Sequence, residues 1–449
     1  MKQVAFLCLS VSLACAAQAQ EAAVSKTVPV PVEAPKKPTD NREQQLAKLE
    51  VLFQKIKENP ESLDANFAYA QLAGQLGKYD EALASYERML ISRPDLHRVK
   101  LDMALIYMKI NNFTDSEKLL REVLAINPPE AVQDNIQKML AEIGTRKQRH
   151  FFSGSLTFGW NEDSNGNASP ASGNQDSGGV SFPITASGSK TEDQHVFEAL
   201  ALRHSYRFSD PRGHTWQTEG LYYRTKQSLL SNLDVTLKSI KTGSVWVIPT
   251  WRSRLGVSVQ YTDTNLARAD YQQTWRKQAQ WTYAMHPKLQ LQFTGSHDLK
   301  RHHNSASSSL YTLRNGEAWE FKTNATFAYS PKTTFTLGYT NHHEQTTAQY
   351  YSYVSDALDF KTLHQLPWYN LSAVGGLTLT HTKYRAPDAS VNPTKTRDDN
   401  SLSLSLNLSK PLTPTITISG GYTYKETTSN IQNYAYENER WSMSLTKRF

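Results

Sequence analysis

The side chains best able to do chemistry in this sequence are two adjacent histidine pairs, His302-His303 and His342-His343, and two cysteines, Cys8 and Cys15. Each histidine pair could donate to a metal, but a metal centre needs further ligands at a fixed spacing, and neither pair has a third donor in a recognisable place. Both pairs therefore read as solvated positions at or near loops. The cysteines both fall within the first twenty residues, a stretch with the marks of an export signal, so the exported chain is expected to have no thiol for a disulfide, a metal or nucleophilic attack. Serine is abundant, but no G-x-S-x-G elbow accompanies it, and a Ser-His-acid arrangement has no local support. No phosphate-binding loop is present either. No catalytic residue, cofactor or metal is expected, and the chain reads as a non-enzyme.

The elements that could position such groups fall into four segments. In residues 1–19, Lys2 gives a minimal positive start, Val4 to Ala14 an apolar stretch, and Ala17-Gln18-Ala19 a small-x-small cleavage site. Lipidation at Cys15 competes with cleavage there, but Ser12 stands where a lipobox prefers Leu. Residues 20–40 hold Pro29, Pro31, Pro35 and Pro38, and read as an extended linker. Over residues 41–149 the apolar spacing is helical and repeats every 34 residues, marked by Pro60, Pro94 and Pro128.

The repeat register pairs Gly77 with Asn111, Tyr79 with Phe113, Ala82 with Ser116, Tyr86 with Leu120 and Leu90 with Leu124. These are tetratricopeptide (TPR) units: a small residue at the helix crossing, aromatics between neighbours, and a proline that ends the second helix. The stripe Leu46, Leu49, Leu52 and Ile56 forms a partial unit before them, and Val132 to Ile143 a capping helix. The concave face of such a solenoid is lined by the first helix of each repeat. That assigns Asp64, Phe67, Gln71, Arg98, Leu101, Leu105 and Met108 to a client-binding groove, although Leu101 and Leu105 are equally readable as interhelix packing.

At Phe151 the period changes to two and stays so to the C-terminus, over about fourteen segments. Leu402, Leu404, Leu406 and Leu408 alternate with Ser403, Ser405 and Asn407, so one face suits lipid and the other water. No apolar run of about eighteen residues follows the signal, which excludes a membrane helix but not a membrane barrel. Turn-like breaks at Asp210-Pro211-Arg212-Gly213, Pro249-Thr250, His286-Pro287-Lys288, Ser330-Pro331-Lys332, Leu366-Pro367-Trp368 and Lys410 to Pro414 each follow an even-numbered segment. The longer polar stretches 161–193, 300–315 and 384–396 each follow an odd-numbered one. Outer-membrane barrels have short periplasmic turns and long outer loops, so both barrel ends are expected to face the periplasm. The fold class is α + β multidomain: an N-terminal all-α TPR solenoid, then a fourteen-stranded antiparallel transmembrane β-barrel over residues 150–449. Ser442 and Ser444 join Ser403, Ser405 and Asn407 as lumen residues, and Trp441, Met443, Leu445 and Phe449 resemble the C-terminal signal read by the barrel-assembly machinery.

The C-terminal third resembles the surface lipoprotein assembly modifier (Slam) family. The likeness is carried by Tyr384-Arg385-Ala386-Pro387-Asp388-Ala389, Arg397-Asp398-Asp399 leading into Ser401 to Leu404, Thr413-Pro414, Ser429-Asn430-Ile431, Tyr434-Ala435-Tyr436 and Lys447-Arg448-Phe449. Phe152 to Leu156 and Leu366-Pro367-Trp368 are similar to the family pattern as well, whereas Thr225 to Arg268 match it least. The resemblance implies an outer-membrane translocon whose periplasmic TPR domain and barrel pass a client to the surface. That client would be a surface lipoprotein or a soluble secreted protein for haem, haemoglobin or transferrin acquisition. Expected partners are that client, outer-membrane lipid, the barrel-assembly machinery and periplasmic chaperones. The formal charge of +7 is dispersed on an exported chain and does not argue for nucleic acid. Two other readings stay open: a TPR-barrel exopolysaccharide exporter, and a porin or receptor whose helices only aid assembly.

Overall fold

A computed structural model describes residues 41–449 except 186–187, 210–211 and 306–307; the side chains of Asn41 and Arg146 are likewise left aside. The signal and linker expected in residues 1–40, with both cysteines, and the Asp210-Pro211 part of the first short turn lie outside the described residues. The chain divides between Arg149 and His150 into two compact units.

The helical unit holds α1 (Asn41–Glu58), α2 (Leu63–Gln75), α3 (Tyr79–Ser92), α4 (His97–Lys109), α5 (Phe113–Leu124) and α6 (Glu130–Lys147). Helices α2 and α3 form one antiparallel pair, α4 and α5 the next, as the 34-residue period requires. The positions equated by the repeat behave alike. Gly77 and Asn111 both adopt positive φ, at 79° and 61°, just after their helices. This left-handed residue lets the next amide reach back, Lys78 N to Ala73 O at 2.9 Å and Asn112 N to Tyr107 O at 2.8 Å. Ala82 and Ser116 are fully buried at the crossings, where a larger residue would push the helices apart. Ser116 meets its burial by donating to Ala104 O at 2.8 Å. One core gathers Leu49, Ile56, Tyr69, Tyr86 and Met103, a second gathers Ala104, Met108, Leu120, Ile136 and Ile143, so each buries its own apolar stripe within residues 41–147.

The second unit is a closed barrel of fourteen antiparallel strands. In chain order these are β1 (His150–Asp163), β4 (Asp193–Arg207), β5 (Thr215–Gln227), β6 (Val235–Ile248), β7 (Ser253–Leu266), β8 (Ala269–His286), β9 (Leu289–His302), β10 (Gly316–Ser330), β11 (Thr333–Thr346), β12 (Tyr353–Gln365), β13 (Ser372–Tyr384), β14 (Asp398–Pro411), β15 (Ile416–Ser429) and β16 (Tyr436–Arg448). A small hairpin of β2 (Asn174–Ser177) and β3 (Val180–Pro183) sits within the first long loop. Neighbours pair in sequence and β1 closes on β16, so no sheet edge is left along the barrel's length. The turns at 249–252, 287–288, 331–332, 366–371 and 412–415 share one side with both barrel ends, while the loops 164–192, 303–315 and 385–397 share the other. The least matched region, Thr225 to Arg268, contains the end of β5, all of β6 and β7, and the tight turn at Ala267-Arg268, both residues at positive φ.

Alternation sets what each face carries. Leu404, Leu406, Trp441, Met443 and Leu445 are among many large apolar side chains left exposed on the outer face. Such a continuous band is untenable in water and suits a bilayer. Toward the short-turn side the band ends in outward tryptophans, Trp216, Trp246, Trp281 and Trp368, the amphipathic girdle found at a membrane interface.

Candidate functional site: the barrel lumen and its loop-side mouth

The lumen face changes character round the barrel, and on β4–β6 it holds the apolar cluster Phe197, Ala199, Tyr223 and Leu237. From β14 round to β1 the inward positions include a run of small neutral residues, Ser403, Ser405 and Asn407 on β14, Ser442 and Ser444 on β16, and Ser155 and Thr157 on β1, interrupted toward the loop side by Lys425 and by the Arg440–Asp163 pair at 2.8 Å. This wall is thin because hydroxyls lie over glycines of the neighbouring strand. A Cβ at Gly376 would sit 2.6 Å from Ser405 Oγ, and one at Gly421 2.7 Å from Ser442 Oγ. Such a surface offers hydrogen bonds to a passing chain and little apolar area to hold it.

The wall from β8 to β11 is charged. Arg276 makes a two-pronged bond to the buried Asp298 at 2.7 and 2.8 Å. Lys300 reaches across β10 to the buried Glu344 at 2.7 Å, and His342 donates toward Glu344 at 3.0 Å with Glu320 at 3.5 Å. This corrects the sequence reading of the histidine pairs. His342 lies inside β11 on the lumen face, held by two carboxylates, and His302 is buried at the end of β9 against Tyr271. Only His343 of the second pair is exposed. Sequence reasoning missed the ladder, although Asp298-x-Lys300 and His342-x-Glu344 carry its signal, charges spaced by two on the inward register. Among the described residues no group of three His, Cys, Asp or Glu is arranged to hold a metal ion.

At the loop-side mouth, segments far apart in sequence are tied together. Gly178 and Gly179, in the β2–β3 turn, donate to Ser390 O and Val391 O at 3.0 and 2.9 Å, and Ala171 N donates to Ala435 O at 2.9 Å. Asn165 donates through one amide to Ser169 O and Glu437 O, both at 3.0 Å. Beneath these lies an aromatic knot. The Arg397 guanidinium stands 3.3 Å from the Tyr434 ring centre and 4.5 Å from that of Tyr384, and its Nε bonds Asp399 at 2.8 Å. Arg314 stacks on Tyr351 at 4.0 Å. Burial pushes the Tyr434 phenol up to about 12, with Arg397 opposing. Only about 50 Å3 of free space remains among Lys300, Arg314, Glu344, Tyr353, Tyr384 and Arg397, so this part of the mouth is filled by side chains. Tyr384, Asp388, Arg397, Asp399, Ile431 and Tyr434 all come from the stretches that carry the family resemblance, and the fold brings those stretches together here.

The sequence pattern of the surface lipoprotein assembly modifier matches residues 218–449, more than half of the chain. This chain belongs to that family. A tetratricopeptide-repeat pattern matches residues 75–143 of this family member. The family and the lipid-facing barrel make it an outer-membrane protein and point to transport rather than to an enzyme. No curated protein matches the chain.

Solved structures with some likeness include the outer-membrane channel DcaP of Acinetobacter baumannii, 9% identical, covering 67% of this chain and 97% of that one with a TM-score of 0.41. OmpT of Vibrio cholerae is 8% identical over 67% and 97%, with a TM-score of 0.40. A tetratricopeptide repeat protein from Parabacteroides merdae is 17% identical over 24% of this chain, with a TM-score of 0.22, and this chain spans only 41% of its length. Likenesses at these scores carry no functional argument.

The remaining residues singled out in sequence are placed as follows. In the helical unit Asp64, Gln71, Arg98 and Leu105 are exposed, Phe67 and Leu101 are half-buried, and Met108 is buried in the second core. Phe67 packs on Tyr86, with ring centres 6.0 Å apart, and Arg98 pairs with Asp102 at 3.2 Å. At the C-terminus Trp441, Met443 and Leu445 point outward. The Phe449 ring lies over Gly154 of β1, and the two residues exchange backbone hydrogen bonds of 2.8 and 3.0 Å.

Proposed function

We propose that this family member delivers a specific client, a surface lipoprotein or a soluble haem- or metal-acquisition protein, from the periplasm to the cell surface or medium. The observation that carries the reading is one chain joining a TPR unit to a fourteen-stranded barrel with a small, hydroxyl-rich lumen wall. A moving polypeptide is served by such a wall, which offers hydrogen bonds and little apolar area to hold it. Both barrel ends share the short-turn side, which in outer-membrane barrels is periplasmic. The helices would stand there and receive the client, with Asp64, Gln71, Arg98 and Leu105 offering the accessible part of the groove.

Handover would begin at the helices, continue along the Ser403-Ser405-Asn407 and Ser442-Ser444 wall, and end by parting the loops at the mouth. The periplasm lacks ATP and the sequence has no phosphate-binding loop, so client folding outside, or the export step upstream, would drive the passage. The barrel-assembly machinery would insert the protein itself, reading Trp441, Met443, Leu445 and Phe449.

The test is co-expression with the product of a neighbouring gene that encodes an exported protein. Surface protease accessibility of that client should rise with the intact chain and fall on deletion of residues 41–148. Equal exposure without this protein would overturn the proposal. Single-channel recording separates the porin alternative, which predicts a large steady conductance from the purified protein alone.

A further inference from the structure

The outward charges of the last three strands are sorted by height. At the loop-side end, β15 and β16 carry Glu426, Glu437 and Glu439; at the short-turn end, β14 and β16 carry Lys410 and Lys447. Leu404, Leu406, Trp441, Met443 and Leu445 fill the rows between. From Glu437 to Lys447 the strand runs about 33 Å, which the usual barrel tilt lowers to about 25 Å of height, the thickness of an apolar band. The two charged rows therefore bracket the membrane.

The two lysines flank β15, Lys410 opposite Ile418 and Lys447 opposite Ile416. Lys447 is exposed, and the Lys410 Nζ stands 5.5 Å from the ring centre of Tyr369, which follows the exposed Trp368. One row further into the apolar band, Gly420 sits between Leu408 and Met443. A Cβ built on Gly420 would meet only Ser442 O, at 3.9 Å, so the width of a side chain is open beside the lysines. No carboxylate balances them. Among the described residues the short turns hold Arg212, Arg252, Lys288 and Lys332 but neither Asp nor Glu, and neither Lys410 nor Lys447 makes an ion pair.

We propose that the short-turn end of β14–β16 is a site for one anionic phospholipid, with its phosphate between Lys410 and Lys447 and an acyl chain along Gly420. On the orientation given under the proposed function, on which this inference rests, the lipid belongs to the periplasmic leaflet, which is the phospholipid leaflet of an outer membrane. Charge selects the headgroup. A phosphodiester satisfies both lysines, whereas an ethanolamine ammonium would find no carboxylate and would face the same two cations. Register selects lipid over protein: both lysines stand on the outward face, away from the lumen that a client would follow.

The experiment is native mass spectrometry of the full chain released from mixed micelles containing palmitoyl-oleoyl phosphatidylglycerol, the matching phosphatidylethanolamine, and cardiolipin at equal concentration. One anionic lipid, phosphatidylglycerol or cardiolipin, should be retained about tenfold better than phosphatidylethanolamine, the size of effect expected of two interfacial lysines. Lys410→Gln, remote from the C-terminal assembly signal, should cut that ratio about threefold, and adding Lys447→Gln should abolish it with heat-modifiable mobility kept. Lys238→Gln, outward at the loop-side end of β6, should leave the ratio unchanged. Gly420→Leu should lower retention of all three lipids, since its side chain fills the gap. Equal retention of the three lipids, a ratio unchanged by Lys410→Gln, an equal loss from Lys238→Gln, or wild-type retention by Gly420→Leu would each overturn the assignment. The assay contains no client, so its failure leaves the delivery reading standing, and absence of delivery leaves the lipid result intact.

Discussion

Arg397 carries its charge between two phenol rings and a carboxylate, in a place where water is largely displaced. A desolvated guanidinium over aromatic faces is worth about 2 kcal/mol, so this one side chain is a large part of what holds the 385–397 loop to the 430–435 loop. Arg397→Met keeps the length and apolar stem but removes the charge. Trypsin nicking after the exposed Arg385 and Lys395 in intact cells should then accelerate by roughly tenfold, following the population of the loosened loop. Unchanged nicking would mean that the backbone bonds from Gly178 and Gly179 suffice. At this scale the sequence was only partly legible. The Ser403, Ser405 and Ser442 register follows from alternation alone. The Arg397 knot does not, because Tyr384, Arg397 and Tyr434 stand in or beside loops where no period constrains them. His342 was misread for a related reason: nearness to a strand end suggested solvent, whereas Glu344 shares its inward face two residues on and Glu320 stands opposite it on β10.

Elements are joined by a few side-chain clamps whose titration can be followed. Between α2 and α3, the Tyr69 hydroxyl donates to Glu81 at 2.7 Å, and Lys78 holds the other carboxylate oxygen at 2.8 Å. The bond from Lys78, then that from Tyr69, holds the Glu81 carboxyl below its usual 4.5, while burial and then Glu81 push the Tyr69 phenol up to about 12. A depressed carboxyl contributes stability that is fully present above 4.5 and is lost as pH falls through the folded value. Glu81 is largely exposed, so the effect is modest. In acid titrations of the helical signal of the full chain, Glu81→Gln should melt earlier than the wild type at neutral pH and converge with it in acid; parallel curves would deny the clamp any part. The raised phenol gives the opposite wing, with stability full below 10 and lost as pH climbs toward 12.

At the barrel seam the clamp is steric. A Cβ on Gly154 would lie 2.6 Å from the Phe449 ring, so Gly154→Ala must displace that ring or shift the strand, at about 1–3 kcal/mol. The heat-modifiable folded fraction should drop, and Phe449→Ala should cost less in that background than alone, since the two residues share one contact. Strictly additive losses would show that Phe449 acts only as a recognition signal. Strand existence, turn parity and the repeat register were all readable, because each rests on a strong period or on Pro and Gly punctuation. The β2–β3 hairpin was not, lying inside a polar loop without alternation.

The molecule as a whole is two units, each burying its own apolar surface. The helical cores draw only on residues between Leu49 and Ile143, and the barrel satisfies its backbone by closing β1 onto β16. No apolar stripe of the barrel needs the helices for cover; its exposed band is the one that lipid covers. A chain in which a signal peptide is followed directly by residues 150–449 should therefore reach the outer membrane with heat-modifiable mobility close to that of the full protein, while client delivery falls. The two readouts divide the roles. If assembly and delivery fall together, the helices serve barrel biogenesis, as the assembly-aid reading holds. If assembly and delivery both persist, the groove at Asp64, Gln71, Arg98 and Leu105 plays no part in handing over a client. Loss of delivery with assembly intact is the outcome that a receiving domain requires, and adding back residues 41–149 as a separate exported chain should then restore little, because a severed domain loses the high effective concentration that covalent attachment provides.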